Sequence, residues 1–344
     1  KLDTVATNAN NYTLPSTLPA SMLTGALPAI SGANLTNLPA GGATSINGLS
    51  DGTNDGSSVG LGTNALANDD GTTNNNTAVG TNALQTTASG YGFNTAIGSG
   101  ALRLNTTGYS NVSTGYFALY NNTTGDKNTA SGVYALEDNT TGDKSTAIGY
   151  GANKFNTTGT KNTSAGFESL KFNTTGANNT ASGYRSLFAN TTANGNTASG
   201  FKALSTSTTS SYNTASGFYA LKANTSGYQN TAFGAEALQT NTTAYGCTAT
   251  GAGALYTNST GNTNTASGMD ALRKNTTGTA NVAMGFRSLF TNTTSNYIVA
   301  VGEKSLYGST GAKCTGIGYG TLFTNSTGTN NTGSGYGANG SSGT

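Results

Sequence analysis

Side chains able to do acid–base or metal chemistry are scarce in this chain. It has 344 residues with 13 carboxylates and no histidine, so Ser-His-Asp triads and His-based metal sites are excluded. The carboxylates that lie close in sequence are Asp69 with Asp70, Asp51 with Asp55, and Glu137 with Asp138. The first two pairs either bind Ca²⁺ weakly through oxygens or form solvated loops, and the third predicts an exposed patch. No glycine motif is followed by the Lys-Ser/Thr of a phosphate loop. We therefore predict a protein that is not an enzyme and has no cofactor or metal site.

The two cysteines occupy the same place in a sequence repeat. Cys247 begins C-T-A-T-G and Cys314 begins C-T-G-I-G. They are four repeats apart, which is roughly 19 Å if each repeat advances by the ~4.8 Å of a β-ladder. A disulfide needs Cα atoms within about 7 Å. We therefore expect no bond within the chain and two small buried thiols, with bonds between chains as the alternative.

Aromatic and basic side chains recur at the position that follows a repeated leucine. This position holds Arg103, Tyr120, Lys154, Lys171, Phe188, Lys222, Tyr256, Arg273, Phe290, Tyr307 and Phe323. If it faces outward, the stripe suits sugar faces or anionic glycans. The alternative is that these side chains pack against neighbouring repeats or chains. The candidate binding residues are Tyr120, Tyr256, Tyr307, Lys171, Lys222 and Arg273.

A seventeen-residue unit, close to N-T-A-x-G-Y-x-A-L-x-x-N-T-T-G-x-x, positions these residues. A fixed short period is typical of stacked, quasi-one-dimensional proteins. The unit lacks a helical period and contains two extended pieces, N-T-A-x-G-Y and A-L-x-x-N-T-T, joined by glycines that permit positive φ. We predict an all-β parallel β-roll or β-solenoid of about seventeen such rungs. Each rung should pair with those above and below it, at ~4.8 Å.

Stacked rungs bring equal positions into columns. We predict that the core consists of a leucine column, an alanine column beside it, and an aromatic column after the central glycine. Two asparagine columns, Asn94 to Asn281 and Asn105 to Asn292, are predicted to form amide ladders, with ligand binding as the alternative. The aromatic column comprises Tyr116, Tyr150, Phe167, Tyr184, Phe201, Phe218 and Phe286.

Composition divides the chain into two parts. Residues 1–57 contain all four prolines, which exclude a long helix and a central strand, and are predicted to be an extended N-terminal attachment segment and connector. Residues 58–344 form the repeat shaft. The chain begins at Lys1 without a signal peptide, so we expect a mature or truncated product. Its last repeats lose their apolar residues, as expected for a frayed end or for a junction with a removed domain.

Charge and core size point to the partners of this chain. The net charge is +2 with basic residues scattered singly, so we expect no nucleic-acid partner. No apolar run is long enough to span a bilayer, so we expect no membrane insertion.

One leucine, one or two alanines and one aromatic per rung make a thin core. We therefore favour a homotrimer, in which three chains pack around a common axis, and a monomeric roll is the alternative.

The repeats resemble those of a known family. The copies that carry the resemblance are N-T-A-V-G-T-N-A-L (Asn76 to Leu84), N-T-A-S-G-V-Y-A-L (Asn128 to Leu136) and N-T-A-S-G-F-Y-A-L (Asn213 to Leu221), and they are joined by N-T-T-G. They are similar to the head repeats of trimeric autotransporter adhesins, and more so to the repeat regions of phage tail fibres and related bacterial fibres. In those proteins a self-cleaving chaperone of the endosialidase type often follows. The resemblance covers residues 58–344. It implies a trimeric left-handed parallel β-roll on an extracellular or virion fibre.

Three functions remain open from the sequence. The first is a structural and adhesive fibre, on a phage tail or a bacterial surface, that contacts a host glycan or protein receptor. The second is an ice-binding solenoid that uses rows such as Thr129, Thr163 and Thr180. It is disfavoured because threonine comes as T-T beside turns, whereas flat outward T-x-T rows would favour it. The third is a glycan-cleaving tailspike, which needs paired carboxylates in a groove.

Overall fold

A computed structural model describes residues 52–54, 57–69, 74–86 and 92–338. All of these lie in one compact unit, Ser45–Thr344. The predicted attachment segment, 1–57, lies almost wholly outside the described residues, as does the end of the chain from residue 339. The carboxylates Asp51, Asp55 and Asp70 also fall outside them.

The described chain is all-β, with one three-residue strand in each repeat. The middle residue of each repeat strand is buried and its two neighbours face outward. Within the described ranges there is no helix that could cross a membrane. The strands are β1 Gly52–Asn54, β2 Val59–Leu61, β3 Thr77–Val79, β4 Thr95–Ile97, β5 Val112–Thr114, β6 Thr129–Ser131, β7 Thr146–Ile148, β8 Thr163–Ala165, β9 Thr180–Ser182, β10 Thr197–Ser199, β11 Thr214–Ser216, β12 Thr231–Phe233, β13 Thr248–Thr250, β14 Thr265–Ser267, β15 Val282–Met284, β16 Val299–Val301, β17 Thr315–Ile317 and β18 Thr332–Ser334.

The strands form a single ladder in chain order. From β2 to β18 every strand pairs in parallel with the next, so that, for example, Thr197 lies opposite Thr214. Most steps are seventeen residues. The steps from Val59 to Thr77 and from Thr77 to Thr95 are one residue longer, and the step from Val299 to Thr315 is one residue shorter. Seventeen parallel strands therefore define sixteen turns, which confirms the predicted β-solenoid. The strand β1 pairs antiparallel with β2 at the start of the ladder.

The core is a set of columns inside this solenoid. The leucines of the repeat, such as Leu119, are completely buried, as are the alanines that precede them, such as Ala118. A second buried alanine column, which includes Ala198 and Ala215, comes from the middle of each strand. Most rungs thus close a core of one leucine and two alanines, or of leucine with an alanine and a serine, within a single chain. The thin core was the physical reason for expecting three chains, and the closed interior removes that reason.

The second extended piece of the unit is not a strand, and that part of the prediction is wrong. Between the central glycine and the second asparagine, two residues per rung take a left-handed backbone, as at Phe117 (φ 55°) and Leu119 (φ 50°). A left-handed leucine costs about 1–2 kcal/mol, which the ~1.5–3 kcal/mol from burying its side chain can offset. The segment still bonds to its neighbours, since the Leu119 amide donates to the Ala135 carbonyl at 3.0 Å.

The aromatic column after the central glycine is on the surface, which corrects its predicted place in the core. Tyr150 is 46% exposed and Phe218 is 48% exposed. The interior of each rung is already filled by leucine, alanine and asparagine, and it leaves no room for a ring. The rings stack on one another instead, with centroids 5.1 to 5.4 Å apart from Tyr150 through Phe218.

Both asparagine columns form the predicted ladders. In the first, the Asn128 side chain accepts the Ser145 backbone amide at 2.9 Å and donates to the Gly142 carbonyl at 2.7 Å. In the second, the Asn139 side chain donates to the Asn122 side chain at 2.7 Å. Buried amides that satisfy one another along the axis cost little and hold the rungs in register.

The cysteines replace asparagine in the first ladder, as expected. Both are free and buried. The Cys247 amide donates to the Asn230 side chain at 2.9 Å, and its thiol donates to the Gly261 carbonyl at 3.2 Å. Burial raises the pKa of the Cys247 thiol to about 11, so the group stays protonated.

One rung breaks the leucine column. Asn153 occupies a leucine position, is completely buried, and its side-chain amide nitrogen and oxygen have no hydrogen-bond partner within the described chain. Ser164 and Ser169 lie in alanine columns of the neighbouring rung and are also buried. The buried apolar residues accordingly form two clusters, one from Ala65 to Ala152 and one from Leu170 to Leu322.

Candidate functional site

The six candidate binding residues all lie in one surface column. This post-leucine column consists of the residues that follow the buried leucines, and all six side chains in question are half-buried. Tyr256 and Arg273 are neighbours, with the guanidinium 4.7 Å from the ring centroid. Tyr120, Lys171, Lys222 and Tyr307 lie in separate rungs and contact other residues. The named members of the column therefore do not form one cluster.

The aromatic residues of the post-leucine column pack against neighbouring rungs. Tyr307 is stacked between Phe290 at 5.2 Å and Phe323 at 5.1 Å, with interplanar angles of 1° and 8°. Both faces of its ring are covered, so solvent reaches only the edge. The Tyr120 hydroxyl accepts a hydrogen bond from the Arg103 guanidinium at 2.9 Å, and the centroids of the Tyr120 and Phe117 rings are 4.5 Å apart. Rings inside such a stack cannot offer a face to a sugar, and only a ring at the end of a stack can.

A second surface column, two residues after the central glycine, carries charge. This charged column contains Glu168, Arg185 and Lys202 in successive rungs. Its residues have positive φ, with Glu168 at 52° and Arg185 at 49°, and Glu168 is buried while Arg185 and Lys202 are half-buried. The sequence analysis did not single out this position. Charged residues at a seventeen-residue interval were the signal for it, because a charged group seldom occupies a solenoid core.

Glu168 joins the two columns through ion pairs. Its carboxylate accepts hydrogen bonds from Lys171 Nζ at 2.7 Å and from Arg185 Nε at 2.6 Å. Burial of the carboxyl opposes its ionisation, but the hydrogen bonds from Lys171 and Arg185 outweigh this, so the pKa of Glu168 lies below its ordinary value. In the same way, burial disfavours the charge on Lys154, yet the hydrogen bond with Glu137 raises the pKa of its ammonium group.

Two open grooves lie on the described surface near these columns. The larger, of about 570 Å³, is lined by Asp138, Phe155, Phe172, Ala189 and three threonines, Thr157, Thr174 and Thr191. The Thr157 and Thr174 hydroxyls donate to carbonyls of the following rung at 3.0 and 3.1 Å. The smaller groove, of about 250 Å³, is lined by Arg185, Phe188, Lys202, Ser205, Thr206 and Lys222.

The described part of the chain holds no group of three or more His, Cys, Asp or Glu side chains that could hold a metal ion, and the predictions for Asp51, Asp55 and Asp70 lie outside it. Asp69 accepts a hydrogen bond from Asn74 at 3.1 Å. Glu137 forms an ion pair with Lys154 at 2.9 Å, and the Asp138 carboxylate accepts a hydrogen bond from the Asn121 side-chain amide at 2.8 Å. These carboxylates thus hold protein side chains.

The threonine rows are arranged differently from the expectation that threonine occurs beside turns. Thr129, Thr163 and Thr180 begin strands and face outward in one column. The T-T pairs at the turns form a different column, in which the first hydroxyl bonds to the next rung, as from Thr123 to the Thr140 carbonyl at 3.0 Å. The second threonine of each pair, such as Thr124 or Thr141, is exposed, so threonines of both columns are available to solvent.

Comparison with known proteins adds no relative: no protein-family model, no curated protein and no solved structure matches this chain.

Proposed function

We propose that this chain is a non-enzymatic shaft of an extracellular fibre, on a phage tail or a bacterial surface. The shaft would hold an attachment surface away from the particle and contact a host glycan or protein receptor along its side. The resemblance of the repeats to phage tail fibres and trimeric adhesins supports this proposal.

The observation that carries the proposal is the uninterrupted parallel ladder from β2 to β18. Backbone hydrogen bonds, asparagine side-chain bonds and buried leucines all run along its axis. At about 4.8 Å per turn, sixteen turns extend roughly 77 Å. A structure in which each rung contacts only its neighbours is suited to spanning distance, and its functional surfaces must lie along its sides.

A homotrimer remains part of the proposal, now on different grounds. The post-glycine aromatic column leaves Tyr184 and Phe201 exposed on the surface. The strands add exposed apolar residues such as Ile148 and Phe233. Apolar side chains aligned in columns are typical of surfaces that contact another chain.

Electron microscopy and solution mass test the shaft. The purified chain should appear as straight rods, and its mass by light scattering should be three times the 34.3 kDa of one chain. Compact globules would refute the shaft, while rods with the mass of a single chain would refute the trimer alone.

A second function, ice binding, is favoured by the outward threonine column. Nine successive strands, β6 to β14, begin with threonine. The other outward position of these strands is less regular, because Ile148 and Phe233 protrude from it. A flat array of hydroxyl and methyl groups is thus present in one column of the two. Thermal hysteresis of a solution of the chain would support ice binding, and its absence at millimolar concentration would exclude it.

A further inference from the structure

We propose that the smaller groove binds an acidic sugar residue of a polysaccharide. The proposal rests on the attachment function proposed above and assigns that function a site and a ligand class. The groove exists because Ser205 occupies a post-leucine position between Phe188 and Lys222. A small side chain between two large ones leaves a gap one rung deep in the column.

Three cations surround this gap. Arg185 and Lys202 line it from the charged column, and Lys222 lines it from the post-leucine column. Arg185 already pairs with Glu168, which also holds Lys171. Among the ion pairs of the described residues, neither Lys202 nor Lys222 takes part in any. Four cations and one carboxylate therefore concentrate positive charge here, in a chain whose net charge is only +2.

The two free lysines are held over aromatic rings. Lys222 Nζ lies 4.3 Å from the Tyr219 ring centroid and Lys202 Nζ lies 5.4 Å from that of Phe201. Cation–π contacts favour these positions and leave the ammonium hydrogens available to a ligand. The cations are thus placed before a ligand arrives, which lowers the entropic cost of binding.

Part of this arrangement occurs a second time with the gap filled, although Phe323 stands there in the place of Lys222. Six rungs further along the chain, Asp270, Arg287 and Lys304 repeat the charged column, and Phe290 stands in the place of Phe188. There the position of Ser205 is filled by Tyr307, which stacks on Phe290 at 5.2 Å. Lys304 also lies 3.5 Å from the Glu303 carboxylate. This second cluster is a natural control for the first.

An acidic sugar matches the shape and chemistry of the groove. Its carboxylate or sulfate would meet Lys202 and Lys222, and its C–H face would meet Phe188, the aromatic residue that precedes Ser205 in the column. The Phe188 ring lies edge-on to Phe172, with ring centroids 4.9 Å apart, and the Arg185 guanidinium lies 5.0 Å from its centroid. The volume of about 250 Å³ is below the ~300–1,000 Å³ of pockets that enclose whole drug-sized ligands. The groove therefore suits one charged unit of a longer chain. Nucleic acid fits less well, because affinity for it depends on cations spread over many phosphates.

The test compares polygalacturonate with its fully methyl-esterified form, which has the same sugar without the charge. Binding to the full chain is measured by biolayer interferometry at low and moderate salt. We expect polygalacturonate to bind, the ester to bind at least tenfold more weakly, and salt to weaken the binding of polygalacturonate. Equal binding of the two polymers would overturn the proposal, and so would tighter binding of a single-stranded oligonucleotide of equal charge, which would indicate a nucleic-acid site.

Two matched variants locate the site. The double variant Lys202→Gln/Lys222→Gln should lose affinity on the order of tenfold, from two surface charge contacts. In the second cluster, Lys274 Nζ lies 5.3 Å from the Phe290 ring centroid. Lys274→Gln/Lys304→Gln removes the same charge there and should bind as the unchanged chain does. Equal losses in both variants would overturn the site and leave only general charge attraction. Micrographs of the same samples separate the two proposals, since rods without binding refute the groove alone and binding without rods refutes the shaft alone.

Discussion

At the residue scale, Asn153 differs most from the pattern around it. The neighbouring rungs have buried leucines at this position, Leu136 and Leu170, whereas the Asn153 side-chain amide is buried without a hydrogen-bond partner in the described chain. Asparagine adopts the left-handed backbone found there (φ 49°) more easily than leucine. That backbone preference is worth about 1 kcal/mol. An unsatisfied buried amide costs about 1–3 kcal/mol. The cost of burying the unpaired amide is therefore larger than the gain from the backbone preference.

Asn153→Leu should therefore stabilise the chain by about 2 kcal/mol. Leucine would regain burial worth ~1.5–3 kcal/mol and would remove the unpaired amide, against the small backbone cost. The free energy of unfolding in urea measures the change. Leu136→Asn, the reverse change one rung away, should destabilise the chain by at least as much. A loss of stability in Asn153→Leu would show that the amide is satisfied.

The ion pairs of Glu168 predict a dependence of stability on pH. Because the pKa of the folded carboxyl lies below its ordinary value of 4.5, ionised Glu168 stabilises the fold above that pH, and its contribution is lost as the pH falls through the folded pKa. Between about pH 5 and pH 3, Glu168→Gln should thus lose less stability than the unchanged chain. Urea midpoints at the two pH values measure this. The unchanged chain is the reference, and an equal loss of stability in the two proteins would contradict this role of the Glu168 ion pairs.

At the scale of the element, the rung is one short strand followed by a left-handed turn. The strand ends at the central glycine, where the chain turns with φ between 112° and 139°. Adjacent rungs approach so closely at this glycine that a Cβ on Gly217 would lie 2.4 Å from the Gly234 carbonyl oxygen. The close approach lets the turn segments continue the ladder between strands.

Gly217→Ala should destabilise the solenoid by about 3 kcal/mol or more, since both the backbone conformation and the contact are unfavourable. Gly320→Asn is the control, because its φ of 59° suits asparagine and nothing lies within 4 Å of a Cβ there. That control should change stability by less than about 0.5 kcal/mol. Thermal or urea unfolding measures both. Equal, small effects would show that adjacent rungs can move apart.

At the scale of the whole ladder, the core is divided in two. The apolar clusters from Ala65 to Ala152 and from Leu170 to Leu322 meet at the polar rung of Asn153. In a solenoid, stability is the sum of rung and interface terms, so a weak interface is where cooperativity is lost.

Hydrogen exchange should show the two halves opening separately. Amides of rungs before Ala152 and after Leu170 are expected to exchange as two groups with different opening free energies. In Asn153→Leu the two groups should merge or move closer together. A single group in the unchanged chain would contradict this division. The exchange pattern therefore tests the interface and not only the total stability.

The seventeen-residue period of the sequence was enough to predict which residues stack into columns. The seventeen-residue spacing was enough to predict the solenoid, the buried leucines, the asparagine ladders and the free cysteines, because identical rungs stacked in register must place like residues together. The aromatic column was misplaced because hydrophobicity does not show which way a residue after a glycine points. The six candidate binding residues were correctly assigned to one column, while their role in binding stays a prediction.

What the sequence by itself determined is thus the axial order of this protein, which depends on repetition. What only the tertiary structure decided is the radial order, meaning which columns face in and which face out. Leu119 and Arg185 share a left-handed backbone, with φ of 50° and 49°, yet Leu119 is completely buried and the Arg185 side chain is partly exposed. Radial position therefore depends on where a residue falls within the turn, and a left-handed backbone at these residue types has no reliable sequence signal. The groove beside Ser205 illustrates both levels, since periodicity places the cations in columns and the turn geometry brings two columns to one gap.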